Sequence, residues 1–256
     1  MRILYLGDLV GEKTIDVLQM YLEPLKKEYG IQLVLCNAEN LTKGKGLSLK
    51  HYKALKTLGI GGISMGNHTF SKSEIKDYIN EATICRPANW NTPYGKEVLY
   101  IRYNDQTLAV VNLLGRVFFN QPLNCPFQTM ETLLKSIQAD KIIVDFHAEA
   151  TSEKKAFFYA FAGSVDAVVG SHTHVQTADE QVYRNTCFIT DMGMCGPYES
   201  VLGDEKDQVI SRFRSGMFEP LSVANTKEYQ INGVILDLGK ENKITRIFKK
   251  VSLLGA

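Results

Sequence analysis

The 256-residue sequence has no long apolar run, almost no net charge, no CxxC pair and no internal repeat, and each absence excludes a class of function. No segment approaches the roughly 18 consecutive apolar residues that a membrane-spanning helix needs. The apolar run within residues 1–8 is far too short for a secretion signal, so a cytoplasmic protein with no membrane association is expected. Twenty-nine basic side chains against 28 acidic ones leave a formal charge of +1, which gives no global attraction to nucleic acid. No stable nucleic-acid complex is expected, and an anionic small molecule has to be held by a local site. The five cysteines (Cys36, Cys85, Cys125, Cys187, Cys195) are odd in number and lie mostly in or near apolar runs. They read as reduced thiols in or near the core rather than a disulfide framework.

What is present is 45% apolar residues, enough to bury a core, and an alternation of strand-like and helix-like segments that points to an α/β protein with one domain over residues 1–256. "RILYLGD" (2–8), "IQLVLCNAEN" (31–40), "IGGISMGNH" (60–68), "KIIVDFHAE" (141–149) and "VDAVVGSHTH" (165–174) read as strands running into loops. Helices are expected at 14–30, with Pro24 kinking or splitting it, at 48–59 capped by Ser48, and at 71–82, 127–139 and 152–163. "EVLYIRY" and "TLAVVNLLG" flank the turn "NDQ" (104–106) as a hairpin, and "INGVILDLG" with "ITRIFKK" forms a later meander. The expected architecture is a sandwich of two mixed β-sheets flanked by helices.

The chemistry collects at strand ends. "GD" (7–8), "NAEN" (37–40), "GNH" (66–68), "DFH" (145–147) and "GSHTH" (170–174) each close an apolar run. In open α/β sheets ligands bind outside the carboxyl ends of strands, so five such clusters can converge on one site. Four of the five histidines (His68, His147, His172, His174) lie in these clusters; His51, inside the helical run 48–59, is assigned no function.

Taken singly, each residue has an ordinary reading: Asp8 or Glu39 as a helix cap, Asn67 as a turn residue, His147 as a hydrogen-bonded core group. Their joint occurrence at five strand ends favours a metal site. Carboxylate, amide and imidazole together suit iron or manganese, or a zinc–iron mixture, better than an all-histidine or cysteine-rich zinc site. The candidate ligands are too many for one ion and match two ions about 3.5–4 Å apart, the arrangement that clamps the oxygens in phosphoryl transfer. Histidines at i and i+2 project to one side of an extended chain, so His172 and His174 can serve one ion each, with Gly170 supplying the turn before them.

"GNH" (66–68), a lone strand-end His147 and "GSHTH" (170–174) resemble the ordered motif series of the calcineurin-like metallophosphoesterases. Two departures narrow the resemblance. Val10 stands where that family's first block carries a histidine, and "NAEN" replaces its "GDxxD" block. Both departures, with "NLLGRVF" (112–118) and "DFHAEATSEK" (145–154), are similar to the bacterial YmdB-like subfamily, and here the resemblance covers nearly the whole chain. It implies a four-layer α/β/β/α fold, a dinuclear site most often of iron, with manganese or zinc as alternatives, and phosphodiesterase activity on 2′,3′-cyclic nucleotides. Carried over residue by residue, it implies that Asp8, Glu39, Asn40 and His174 hold one ion, while Glu39, Asn67, His147 and His172 hold the other. Glu39 would bridge them, Asn40 would fill the place left by Val10, and His68 would be the proton donor.

The mechanism so implied uses a hydroxide bridging the ions as nucleophile and protonates the leaving 2′ oxygen, which yields a 3′-nucleotide. Lys43, Lys45 and Arg116 are weaker candidates for holding phosphate, and Phe118, Phe119 and Tyr198 for stacking on a base. Asp145 and Asp191 are candidates for orienting a ligand. The expected partner is a small phosphodiester, a cyclic nucleotide first, and the sequence leaves a homo-oligomer open. Alternative readings are a metal-binding regulatory protein with weak or no hydrolysis, a phosphomonoesterase, and a hydrolase of non-phosphate esters or amides.

Overall fold

Burial along the first strand decides the architecture. In β1 (Arg2–Leu9) Ile3 and Tyr5 pack into one apolar cluster and Leu4 and Leu6 into another, so both faces of the strand are covered. A strand buried on both faces belongs to a sheet with a layer on each side. The computed structural model describes residues 1–253; the remainder of the expected 1–256 span lies outside the described residues. After β1 the elements are α1 (Lys13–Tyr29), β2 (Leu33–Asn37), α2 (Leu49–Thr57), β3 (Gly62–Ser64), a 3-10 turn (Ser73–Asp77), β4 (Ile84–Cys85), β5 (Val98–Tyr103) and β6 (Gln106–Leu114). There follow α3 (Pro126–Leu134), β7 (Lys141–His147), α4 (Thr151–Phe161), β8 (Ala167–Ser171), β9 (Gln181–Tyr183), β10 (Thr186–Ile189), β11 (Met194–Pro197), α5 (Lys206–Ser215), β12 (Glu228–Asp237) and β13 (Lys243–Ser252).

Two mixed sheets result. One runs β13-β12-β11-β1-β2-β3-β4 and the other β5-β6-β7-β8-β10-β9. Within the first, β1, β2, β3 and β4 are mutually parallel; within the second, β6, β7 and β8 are parallel. Ile3, Tyr5, Leu35, Val110, Ile143 and Val169 form part of the layer between the sheets. Val17, Leu18, Leu22 and Leu25 of α1 and Leu55 of α2 cover the outer face of the first sheet. Met130 and Leu133 of α3 and Phe157, Phe158 and Phe161 of α4 cover the second. This is the α/β/β/α sandwich expected, and the β5–β6 hairpin and the β12–β13 meander lie where the alternation put them.

Several local expectations change. Pro24 neither kinks the chain into two helices nor ends α1, which runs 17 residues to Gly30, whose left-handed φ of 63° closes it. Proline removes one hydrogen bond at Met20, but the buried stripe on both sides of it holds the turns against the sheet. The expected helix at 71–82 shrinks to the Ser73–Asp77 turn. Lys72 offers no capping bond there, and Tyr78 and Asn80 are drawn outward, the phenol to the Leu47 carbonyl at 2.7 Å and the amide oxygen to Gly95 N at 2.6 Å. All five cysteines are free thiols, four of them buried. No helix among the described residues is long and apolar enough to cross a membrane.

Candidate active site

The carboxyl ends of parallel strands from both sheets meet at one place. Asp8 comes from the end of β1, Glu39 and Asn40 from the loop after β2, Asn67 and His68 from the loop after β3, His147 from the last position of β7, and His172 and His174 from the loop after β8. The single sheet edge of the sequence reading is thus two edges facing each other. Gly66 allows the approach: a Cβ there would lie 2.3 Å from Glu39 Oε2 and 2.5 Å from His147 Nε2, so any other residue would push the two side chains apart.

The focus is His147 Nε2. Glu39 Oε1 lies 2.9 Å from it, Asn67 Oδ1 3.0 Å and His172 Nδ1 3.1 Å. One imidazole nitrogen carries at most one proton, so it cannot satisfy three acceptors. The outer nitrogen of each ring explains which lone pairs are free. Ser171 Oγ donates to Asp145 Oδ1 at 2.6 Å and receives His147 Nδ1–H at 2.9 Å, which makes Nε2 the nitrogen that turns toward the other three groups. Glu149 Oε2 sits 3.0 Å from His172 Nε2 and takes that proton, leaving Nδ1 bare. Carboxylates and hydroxyls that fix a histidine tautomer in this way are the usual companions of metal ligands.

A second convergence adjoins the first. The Leu202 carbonyl, 2.7 Å from His174 Nδ1, takes that proton and leaves Nε2 free. Turned so that its nitrogen donates to Glu39 Oε1 at 3.2 Å, the Asn40 amide faces His174 Nε2 with its oxygen at 2.9 Å. Asp8 is fully buried; Oδ2 accepts His172 N–H at 3.1 Å, but Oδ1 has no partner. Glu39, 1% exposed, spends its two oxygens in different directions, Oε1 on His147 and Oε2 on His68 N–H at 2.8 Å. An orphaned buried carboxylate oxygen beside converging imidazole nitrogens fits divalent cations; Glu39, His147 and His172 by themselves bring ligand atoms within 4.8 Å of one another.

The electrostatics carry the same strain. Burial pushes the Asp8 carboxyl up to about 6 against the pull of His174 and His147. Burial also opposes charge on Glu39, yet His147 and His68 bring it down to about 2. Burial disfavours charge on His147 too, but Glu39, Asp8 and Asp145 raise its pKa to about 9. Burial, then the charge on His147, depresses His172 to about 3. His68 is lowered from its ordinary value chiefly by burial; its side chain makes only 3.4 Å contacts, with Asn67 and Ser71, and its ring lines the open cavity.

The loop bearing His172 and His174 is not extended, so the two rings do not share a side by strand alternation. β8 ends at Ser171, and both histidines adopt positive φ, 101° and 65°. Gly170 does not make the turn; it lies within β8, where a Cβ would meet the Thr190 carbonyl oxygen at 1.8 Å. What holds the loop is Asp191. Its Oδ2 accepts Thr173 N–H at 3.0 Å, Thr173 Oγ–H at 2.8 Å and Lys154 Nζ at 2.8 Å, while Lys154 also donates to the Ser171 carbonyl at 2.9 Å. Both members of that ion pair are about 1% exposed.

The site opens into a cavity of about 550 Å³ lined by Glu39, Asn40, His68, His172 and His174, with Lys43 and Lys45 on the loop beside them. Arg116 is not among its lining residues, and neither are Phe118, Phe119 and Tyr198. Phe119 instead packs on His172, centroids 4.9 Å apart, and Tyr198 lies under the Lys250 ammonium at 4.3 Å. Sequence reasoning missed Glu149, Ser171 and Lys154, although all three lie in or next to the quoted motifs. It also missed α5, which brings Arg212 to the cavity wall.

Comparison with known proteins gives consistent results. The family model described as YmdB-like protein matches residues 4–251. A 2′,3′-cyclic-nucleotide 2′-phosphodiesterase from Bacillus subtilis is 42% identical over 95% of this chain and 93% of its own length. A crystal structure of a phosphatase from Mycoplasma pneumoniae superposes with TM-score 0.92 at 38% identity, covering 98% of this chain and 94% of that one. The sulfate thiohydrolase SoxB of Thermus thermophilus, at 13% identity and TM-score 0.51 over 95% of this chain and 43% of that one, shares the fold alone.

Proposed function

The chain belongs to the YmdB-like protein family, and on that premise we propose that it is a dinuclear-metal phosphodiesterase that opens 2′,3′-cyclic nucleotides to 3′-nucleotides. The observation that carries this reading is the crowding of Glu39 Oε1, Asn67 Oδ1 and His172 Nδ1 within 3.1 Å of His147 Nε2, which protons cannot satisfy and cations can. Asp8, Glu39, Asn40 and His174 would hold one ion, and Glu39, Asn67, His147 and His172 the other. Bound there, iron, manganese or zinc lowers the pKa of a water and neutralises charge on phosphoryl oxygens.

The protein's own residues do the rest. Lys43 and Lys45, on the cavity wall, offer ammonium groups to the phosphate's negative charge. His68 stands outside the convergent donors but on the same wall, so its ring is free to hand a proton to the 2′ oxygen as the P–O bond breaks. An alkoxide leaves poorly without that proton, and keeping the 3′ bond intact fixes the product. Water reaches the phosphorus through the cavity, while Phe119 closes the His172 side of the cluster.

The test separates ligand from proton donor. Purified His68→Asn is expected to retain the metal content of the wild type and to lose about 100-fold or more in turnover of 2′,3′-cyclic AMP. Glu39→Ala is expected to lose metal and activity together. Metal depletion in His68→Asn would make His68 a ligand and remove it as the donor.

A further inference from the structure

We propose that Phe218, backed by Arg212, is the platform on which the base of the nucleotide substrate stacks. This rests on the phosphodiesterase reading and supplies the base-recognising side chain that reading lacks. A nucleotide brings two surfaces to a protein, an anionic phosphate and a flat π-face, and the cavity has a match for each. The phosphate end is provided by the donor cluster with Lys43 and Lys45. The wall is completed by α5 and the segment after it, through Arg212, Phe218, Pro220 and Leu221.

Among the described residues lining the cavity, Phe218 is the one phenylalanine, tyrosine or tryptophan; the other rings are the imidazoles of His68, His172 and His174, which belong to the donor cluster or its proton donor. It is 78% exposed, an unfavourable place for a ring of that size with one face open to water. The Arg212 guanidinium lies 5.1 Å from its centroid, and no aromatic ring among the described residues packs against it. A cation over one face fixes the ring's orientation and leaves the other face available. Every base has a π-face, and stacking favours the larger purine surface over a pyrimidine. Leu202, half exposed on the same cavity, adds apolar surface for the base or ribose. The sequence candidates for this role, Phe118, Phe119 and Tyr198, line no part of the cavity.

Because the ring is exposed, its truncation leaves the fold intact, which makes the test direct. The measurement is the ratio of kcat/KM for 2′,3′-cyclic AMP to that for ribose 2′,3′-cyclic phosphate, which lacks a base, on manganese-loaded wild type, Phe218→Ala and Phe218→Tyr. Molar mass is measured by light scattering on the same samples. The ratio is expected to fall about 10-fold or more in Phe218→Ala, through KM rather than kcat, and to recover in Phe218→Tyr, which keeps the π-face. An unchanged ratio in Phe218→Ala overturns the platform. So does a fall in molar mass with the ratio intact, which would make the ring a contact between copies of the chain. A wild type that hydrolyses both compounds equally well overturns only the platform, whereas one that hydrolyses neither overturns the phosphodiesterase reading and the platform with it.

Discussion

Ser171 shows how much of the site depends on residues outside the converging donor groups. Its hydroxyl donates to Asp145 and accepts from His147, so it settles which nitrogen of His147 turns toward Glu39, Asn67 and His172. Removing such a companion typically costs 10–100-fold in metal affinity. Ser171→Ala is therefore expected to weaken manganese binding to the metal-free protein by about that factor while leaving the circular dichroism spectrum unchanged. Unaltered affinity would show that Asp145 holds His147 without it. At this scale the cluster was legible, because Asp8, Glu39, Asn40, Asn67, His147, His172 and His174 all sit at strand ends in a chain with few histidines, and the structure brings them together. Ser171 and Glu149 were not, since a serine inside a motif or a glutamate two residues past it looks like any loop residue until a tautomer has to be fixed.

Among the elements, the loop after β8 departs most from the expected form, and its conformation is imposed from outside. The Lys154–Asp191 pair joins α4 to the segment after β10 and grips Thr173 between the two histidines. Lys154→Met leaves a carboxylate buried and unpaired, a change that costs about 3–5 kcal/mol. Urea denaturation is expected to record that loss, and the paired variant Lys154→Met with Asp191→Leu a smaller one. Both variants are expected to bind manganese more weakly than the wild type, because the grip on Thr173 is weakened or lost. A paired variant with wild-type manganese affinity would show that the loop keeps its shape unaided.

The same segment carries a pH-dependent tie. Partial burial opposes charge on Asp179, but hydrogen bonds from Thr190 and Thr177, with Lys155 nearby, hold its carboxyl below the usual carboxylate range. A carboxyl depressed in the folded state adds stability above its unfolded pKa of about 3.9, and that stability is lost as pH falls through the folded value. The stability gap between wild type and Asp179→Asn is thus expected to stay level from about pH 5 to 8 and to close below about pH 4. A gap that widens on acidification would contradict the sign. Neither tie was legible: Lys154 and Asp191 lie 37 residues apart, and Thr177 and Thr190 look like ordinary loop hydroxyls until the fold turns both onto Asp179. Helix α5 was missed for a related reason: Val209 is its only buried residue, so it lacks the apolar stripe that reveals a helix.

For the molecule as a whole, the alternation of strands and helices was enough to give two mixed sheets between helical layers, and the strand-end residues were enough to give one site. What was not available was the pairing of the sheets. Parallel β1–β2–β3 and parallel β6–β7–β8 point their carboxyl ends at the same place, so donor side chains distant in sequence come together without any one loop carrying them all. With a net charge of only +1, the chain gains little long-range pull on an anion, and capture falls to the cavity's own cations. The measurement that tests the account most directly is phosphorus NMR of the products formed from 2′,3′-cyclic AMP, with bound metal quantified on the same protein before and after chelation. The expected result is 3′-AMP as the sole product, about two metal ions per chain, and loss of turnover on chelation with recovery on adding manganese or iron. Formation of 2′-AMP, or hydrolysis that survives removal of the metal, would contradict it.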